Sequence, residues 1–167
     1  EPKLTPPVPR SAVKIAPAQR NEAFTGALSA YLKPDQVSDD EDQRLLHSYG
    51  KSYPDLFFVR RGIVKRAPDL VLFPENHHQV ERIMKDAVIF NICLVPFGGG
   101  TNIVGGVNPK ETGKLVATVS LARMNRLLSL DPYSNIAVIE AGALGPKLEA
   151  DLLERGYSLG HFPDSFE

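Results

Sequence analysis

The sequence has one cysteine, Cys93, so no internal disulfide can staple the fold and no cysteine-rich zinc site can form. It has no excess of either charge: 19 basic against 20 acidic side chains leave a formal net charge of −1. That balance gives no basic surplus to argue for nucleic acid and no acidic run to argue for a disordered tail. No apolar run approaches the length needed to cross a bilayer. No secretory leader and no initiator methionine open the chain, and its last residues, HFPDSFE, are turn-like, with no closing helix or strand. It therefore reads as a segment of something longer. At 167 residues it can still bury a sizeable core.

What the chain does contain falls into two stretches, 1–50 and 51–167. Residues 1–20 hold five prolines and read as an extended arm or an ordered wrap. Phe24, Ala27, Leu28, Tyr31 and Leu32 recur at helical spacing, and Pro34 ends that run. Ser38 and Glu41 form an S-x-x-E box that opens a short helix carrying Leu45, Leu46 and Tyr49, with Gly50 as its stop. Leu56 to Val59 read as a strand or a buried connection. Arg60, Arg61, Lys65 and Arg66 follow, either as a solvated charged face or as a patch facing phosphate or membrane.

From Pro68 the pattern is regular. Leu70 to Phe73 is a short apolar strand, and Asn76 with Gln79 caps a helix striped by Val80, Ile83, Met84, Ala87 and Val88. Ile92 to Val95 is the next strand, so strand, helix and strand form a βαβ unit with its two strands parallel and adjacent. Leu115 to Val119 is a further strand. Leu127 to Leu130 and Ile136 to Glu140 flank the turn cluster Asp131-Pro132-Tyr133-Ser134-Asn135 as a hairpin. Gly145-Pro146 opens a last helix, with Leu148, Leu152 and Leu153 facing inward and Gly156 closing it. The fold class is α+β with a mixed sheet.

The densest signal is PFGGGTNIVGG, Pro96 to Gly106, at a strand's carboxyl end, where open α/β sheets bind ligands. Gly98, Gly99 and Gly100 let successive backbone amides converge on one anion, and Thr101 and Asn102 add polar groups. No lysine closes the loop, so it is not a Walker loop, and Ile103 stands where a dinucleotide fingerprint needs its third glycine. Any diphosphate here is held by loop amides. The competing readings are a mobile loop, or glycines that serve only close backbone packing.

The run R-x-P-D-L-V-x-x-P-x-x-H-x-x-V, with Arg66, Pro68, Asp69, Pro74 and His77, followed by N-x-C-L-V-P-F-G-G-G-T-N, resembles flavoproteins of the vanillyl-alcohol oxidase type. The resemblance implies a PCMH-type FAD-binding domain of two α+β subdomains, the first largely present in 51–167. FFVRRGIVKRAPDLVLFP, ATVSLARMNRLLSLDPYSNIAVIEAG and ERGYSLGHFPDSFE are similar, within that group, to the alkylglycerone-phosphate synthase family. By that likeness Pro96, Phe97, Gly98, Gly99, Gly100, Thr101 and Asn102 lie along the FAD pyrophosphate. Asp164, Ser165, Phe166 and Glu167 begin a second flavin contact; without the likeness, Asp164 and Ser165 equally satisfy a turn. The loop lacks the histidine that anchors FAD covalently in many members, so non-covalent FAD is expected.

The likeness also implies a reaction. The acyl chain of acyl-dihydroxyacetone phosphate is exchanged for a long-chain fatty alcohol through an adduct at flavin N5, with no net redox change. It further implies a homodimer, peripheral membrane contact and a peroxisomal or glycosomal home. An FAD-dependent D-2-hydroxy-acid dehydrogenase of the D-lactate type shares the domain and stays open as an alternative, as does a non-enzymatic nucleotide-binding module. His161 is either near the isoalloxazine or a packed or surface group. His77 and His78 read as capping or surface residues, Cys93 as core, and no catalytic or metal-binding residue is nominated.

Overall fold

The computed structural model describes residues 6–163. Residues 6–20 run along the surface with one 3₁₀ turn, Arg10–Ala12. They are tied down at intervals: Val8 N donates to the Arg60 carbonyl, Gln19 N to Asp69 Oδ1, and Arg44 Nη2 to the Ala16 carbonyl. Helix α1 spans Glu22–Leu28, its first turn capped by Asn21 Oδ1, which accepts from Phe24 N. Two-residue strand β1, Val37–Ser38, precedes α2, Glu41–Leu46.

The cap of α2 corrects the sequence expectation. Asp40, not Ser38, accepts from the first-turn amides of Asp42 and Gln43, while Ser38 Oγ only accepts from Asp40 N. A carboxylate one residue from the helix also meets the positive end of its dipole, which a serine three residues out cannot do. Gly50 is not the stop either, because α2 ends at Leu46.

Residues 56–59 are likewise helical: α3 spans Tyr53–Arg60. Ser52 Oγ accepts from Asp55 N, and Pro54 sits in the first turn. Four consecutive apolar residues wrap around a helix, so some must face outward. Leu56, Phe57 and Val59 are accordingly half exposed.

Strand β2 is Leu70–Leu72, α4 is His77–Ile89, β3 is Cys93–Phe97 and β4 is Val116–Ser120. The sheet order is β1-β2-β4-β3. β2, β4 and β3 are parallel, and β1 is antiparallel to β2 at the edge. So β2 and β3 are parallel as expected but not adjacent. β4 sits between them, because its five residues are all buried and only a central strand can cover both faces.

The core packs Phe24, Leu28 and Leu32 from α1 and its following turn, and Ile83 from α4, onto Leu70, Leu72, Ala117 and Val119 of the sheet. Each large apolar side chain so buried contributes roughly 1.5–3 kcal/mol. The expected stripe on α4 is narrower than its spacing suggested: Ile83 and Ala87 are buried, whereas Met84 and Val88 are exposed. Gln79 also departs from the simple box. Asn76 Oδ1 accepts from Gln79 N as expected, but Gln79 Oε1 reaches past the cap to Glu75 N.

Strands β5, Leu127–Asp131, and β6, Ile136–Ile139, form the expected antiparallel hairpin as a separate two-stranded sheet. Asn135, in the turn, takes a positive φ of 54°. At the hairpin's base Arg126 grips Glu140 through two guanidinium nitrogens, and that contact first of all holds the Glu140 carboxyl below its ordinary range. Helix α5, Gly145–Leu153, buries Leu148 and Leu152, but Leu153 faces out. Gly156 closes it at a φ of 79°.

Candidate functional site

Three parallel strands end together. Phe73 follows β2, Phe97 ends β3 and Ser120 ends β4, and all three line a cleft of about 390 Å³ at that carboxyl edge. Gly98 and Gly99 overhang it from one side, and Gly142, Leu144 and Lys147 close it from the hairpin and α5. Gly142 is required there by approach alone: a Cβ would come within 1.7 Å of the Leu121 carbonyl oxygen.

The loop rests on Phe97. Gly100 has a φ of 68°, and a Cβ on it would meet the Phe97 ring at 2.6 Å. Position 100 therefore needs glycine both for its backbone and for its space. Gly98 and Gly99 have no such conflict. The nearest atoms to their missing Cβ groups are the Ala141 carbonyl oxygen at 3.7 Å and the end of the Leu144 side chain at 3.3 Å. The amides of Gly99, Gly100 and Thr101 donate to nothing among the described residues.

Beyond Thr101 the loop is bound to itself and to its neighbours. Asn102 Oδ1 accepts from Val104 N at 3.1 Å and Gly106 N at 2.8 Å. The Asn102 carbonyl accepts from Lys51 N at 2.8 Å. Asn108 Nδ2 donates to Asp55 Oδ1 at 2.6 Å, and its own Oδ1 takes Gly50 N. Gly50 is thus a close-approach glycine, since a Cβ there would fall 2.2 Å from the Asn102 carbonyl oxygen.

The residues expected along a pyrophosphate are brought together, with a division of labour the sequence did not reveal. Pro96 and Phe97 end β3, Gly98 to Thr101 present the open edge, and the Asn102 side chain organises the loop from within. Asp164, Ser165, Phe166 and Glu167 lie outside the described residues. His161 is exposed, as are His77 and His78 at the start of α4. Sequence reasoning passed over His47, buried in the cleft floor, and Lys147 across it. Both lie far from the glycines in sequence, and no local pattern marks either.

The donor set fits a nucleotide diphosphate. Gly99, Gly100 and Thr101 carry adjacent amides that are unengaged among the described residues, Gly98 and Gly99 leave room for close approach, and no carboxylate lines the cleft among the described residues. Comparison with known proteins gives the family and its cofactor. Residues 68–167 match the FAD binding domain family, so this chain belongs to that family, whose cofactor is FAD.

Within it, the chain is 40% identical over 163 residues to alkyldihydroxyacetonephosphate synthase of Dictyostelium discoideum, covering 98% of this chain and 27% of that protein. It is 43% identical over 155 residues to the synthase of Trypanosoma brucei brucei, covering 92% of this chain and 25% of that protein. A crystal structure of alkyldihydroxyacetonephosphate synthase superposes with a TM-score of 0.93 at 40% identity, over 98% of this chain and 30% of that one. The chain thus spans about a quarter of the length of the curated relatives it matches. p-Cresol methylhydroxylase shares the fold, with a TM-score of 0.64 over 82% of this chain and 26% of that one at 20% identity.

Proposed function

We propose that this chain is the glycine-loop part of an FAD-dependent alkylglycerone-phosphate synthase of ether-lipid biosynthesis. The observation that carries the reading is the row of unengaged amides at Gly99, Gly100 and Thr101, set on Phe97 at the carboxyl edge of three parallel strands. Those amides take the FAD pyrophosphate, with Gly98 and Gly99 allowing its close approach. Asp164 to Glu167 continue the contact. FAD is held without a covalent bond. Bound there, FAD supplies the reactive centre at which the acyl chain of acyl-dihydroxyacetone phosphate gives way to a long-chain fatty alcohol without net oxidation. The residues of this chain bind and orient the nucleotide. Homodimerisation, peripheral membrane contact and a peroxisomal or glycosomal home belong to the same reading and rest on the resemblance.

Identity ranks the alternatives. The synthases of Dictyostelium and Trypanosoma stand at 40% and 43% over nearly the whole chain. D-lactate dehydrogenase of Kluyveromyces lactis stands at 25% over 85% of the chain, and it supports the hydroxy-acid dehydrogenase reading correspondingly less. The full-length protein decides between them. Purified, it should be yellow and release intact FAD on denaturation. It should convert acyl-dihydroxyacetone phosphate and a fatty alcohol to the alkyl product while the flavin stays oxidised. Bleaching of the flavin by D-lactate, with no alkyl product, would establish the dehydrogenase instead. A colourless protein that takes up no FAD would end both.

A further inference from the structure

His47 lies in the floor of the glycine-loop cleft, and the nucleotide reading leaves it without a task. It is 6% exposed. Its Nδ1 donates to the Gln43 carbonyl 2.7 Å away, one turn back on α2. That bond fixes the neutral tautomer: Nδ1 carries the hydrogen and Nε2 the lone pair, on the ring edge opposite Gln43. The imidazole meets Phe73 edge-on at 5.8 Å and Phe97 at 4.6 Å between ring centroids. Phe97 is also the ring on which Gly100 rests. A single aromatic ring therefore separates His47 from the loop that offers its amides.

The charged groups around it are few. Of the charged groups of α2, Glu41 and Asp42 pair with Arg10, and Arg44 turns away, to the Pro68 and Ala16 carbonyls. Phe73 and Phe97 close it from β2 and β3, and Ser120 ends β4 beside them. Arg123 stands over Phe73 at 5.5 Å but is engaged by Asp35 and Glu75. Across the cleft Lys147 has its Nζ 2.6 Å from Asp151 Oδ2. Burial, the main cause, holds the His47 imidazole below its ordinary titration, against the smaller pull of the Gln43 carbonyl.

Resting on the FAD reading above, we propose that His47 takes up one proton from solvent when the diphosphate docks on the glycine loop, and so acts as the cleft's inducible counter-charge. No lysine stands in the loop, and the lysine across the cleft already has a carboxylate partner. A diphosphate brings negative charge to a site whose burial otherwise keeps the imidazole neutral, and opposite charge nearby favours the protonated ring. Nε2 is the nitrogen free to receive the proton. His47 is a positioning residue here, acting on the nucleotide through charge.

The linkage has a definite sign. Between the titration of His47 in free protein and its higher titration in the complex, binding consumes a proton. FAD affinity therefore falls as pH rises through that window, by up to about tenfold per pH unit, and levels off above it. Calorimetry of FAD binding to full-length, flavin-stripped protein, repeated near pH 6.5 in buffers of different ionisation enthalpy, counts that proton. Uptake approaching one in the wild type, and lost in His47→Asn, is expected; asparagine keeps a donor for the Gln43 carbonyl but cannot titrate. No uptake in the wild type, or the same uptake in His47→Asn, would overturn the proposal. Should the variant misfold, histidine hydrogen–deuterium exchange read by mass spectrometry follows His47 in the wild type alone. Its titration should rise on FAD loading, and an unchanged or lowered one overturns the proposal. Binding without proton uptake sinks the His47 role only, whereas no binding at all sinks the nucleotide reading with it.

Discussion

From Gly99 to Thr101 the loop gives its amides to nothing inside the described chain, whereas from Asn102 to Asn108 it is pinned by Lys51, Gly50, Asp55 and its own Asn102 side chain. The two halves share composition: both are rich in glycine and free of charge. They differ in where their hydrogen bonds go. A backbone donor left unmade in a native fold is tolerated where water or a ligand completes it. The pinned half supplies the rigidity that the open half needs, because a cradle that must be ordered at the moment of binding loses affinity to that ordering.

Breaking the seat of the open half should have the largest effect. Gly100→Ala forces a Cβ into the Phe97 ring at 2.6 Å and places a side chain at a φ of 68°. Together these should cost about 2–4 kcal/mol and lower the melting temperature of flavin-free protein. FAD retention should be lost as well. A variant that melts and binds like the wild type would show that the loop does not sit on Phe97.

Gly99→Val sharpens the contrast, because its neighbour inside the protein is the flexible end of Leu144 at 3.3 Å. The fold should tolerate it, while a diphosphate lying against residue 99 cannot. The expected outcome is flavin-free protein of near wild-type melting temperature, read from the visible absorbance of the purified material. Full FAD occupancy would remove the pyrophosphate from this loop.

Asn102→Ala tests the pinned half. It removes the acceptor for Val104 N and Gly106 N. The expected loss is about 1–2 kcal/mol of stability with a weaker but measurable affinity for FAD. Asn102→Asp keeps an acceptor oxygen in that place and should restore the melting temperature. Equal melting of the alanine variant and the wild type would mean that the side chain does not organise the loop.

The same contrast explains what could be read from the chain beforehand. Periodic burial was legible: β2, β4, the hairpin, and the glycine loop at a strand end all follow from local spacing. What depends on a distant partner was not. The spacing that suggested adjacent β2 and β3 carries no information on which strand is central; that follows from all five residues of β4 being buried. Residues 56–59, read as a strand or a buried connection, are helical instead because Ser52 and Pro54 start a helix whose apolar run then wraps around it. Gly50 looked like a helix stop, yet its reason for being glycine is a carbonyl 52 residues away, at Asn102. His47 carried no motif at all. Its place in the site comes from the stacking of β2 and β3 ends around α2.

The smallest expected effect also lies at His47, beneath the open half, and concerns flavin-free protein. Burial lowers the titration of this imidazole in the folded state relative to an ordinary histidine near 6.5. Between those two titrations the unfolded chain binds more protons than the folded one, so stability rises with pH there. As pH falls below about 6.5 the protein should therefore lose stability gradually, until the folded-state titration is also passed and this contribution becomes constant. Melting curves from pH 7.5 down to pH 5.5 should show the decline in the wild type and a flatter profile in His47→Asn. Saturating FAD should oppose the decline, because a diphosphate beside the ring favours the protonated imidazole that burial disfavours. Identical slopes in the wild type and in His47→Asn would place the acid sensitivity of this window at a group other than His47.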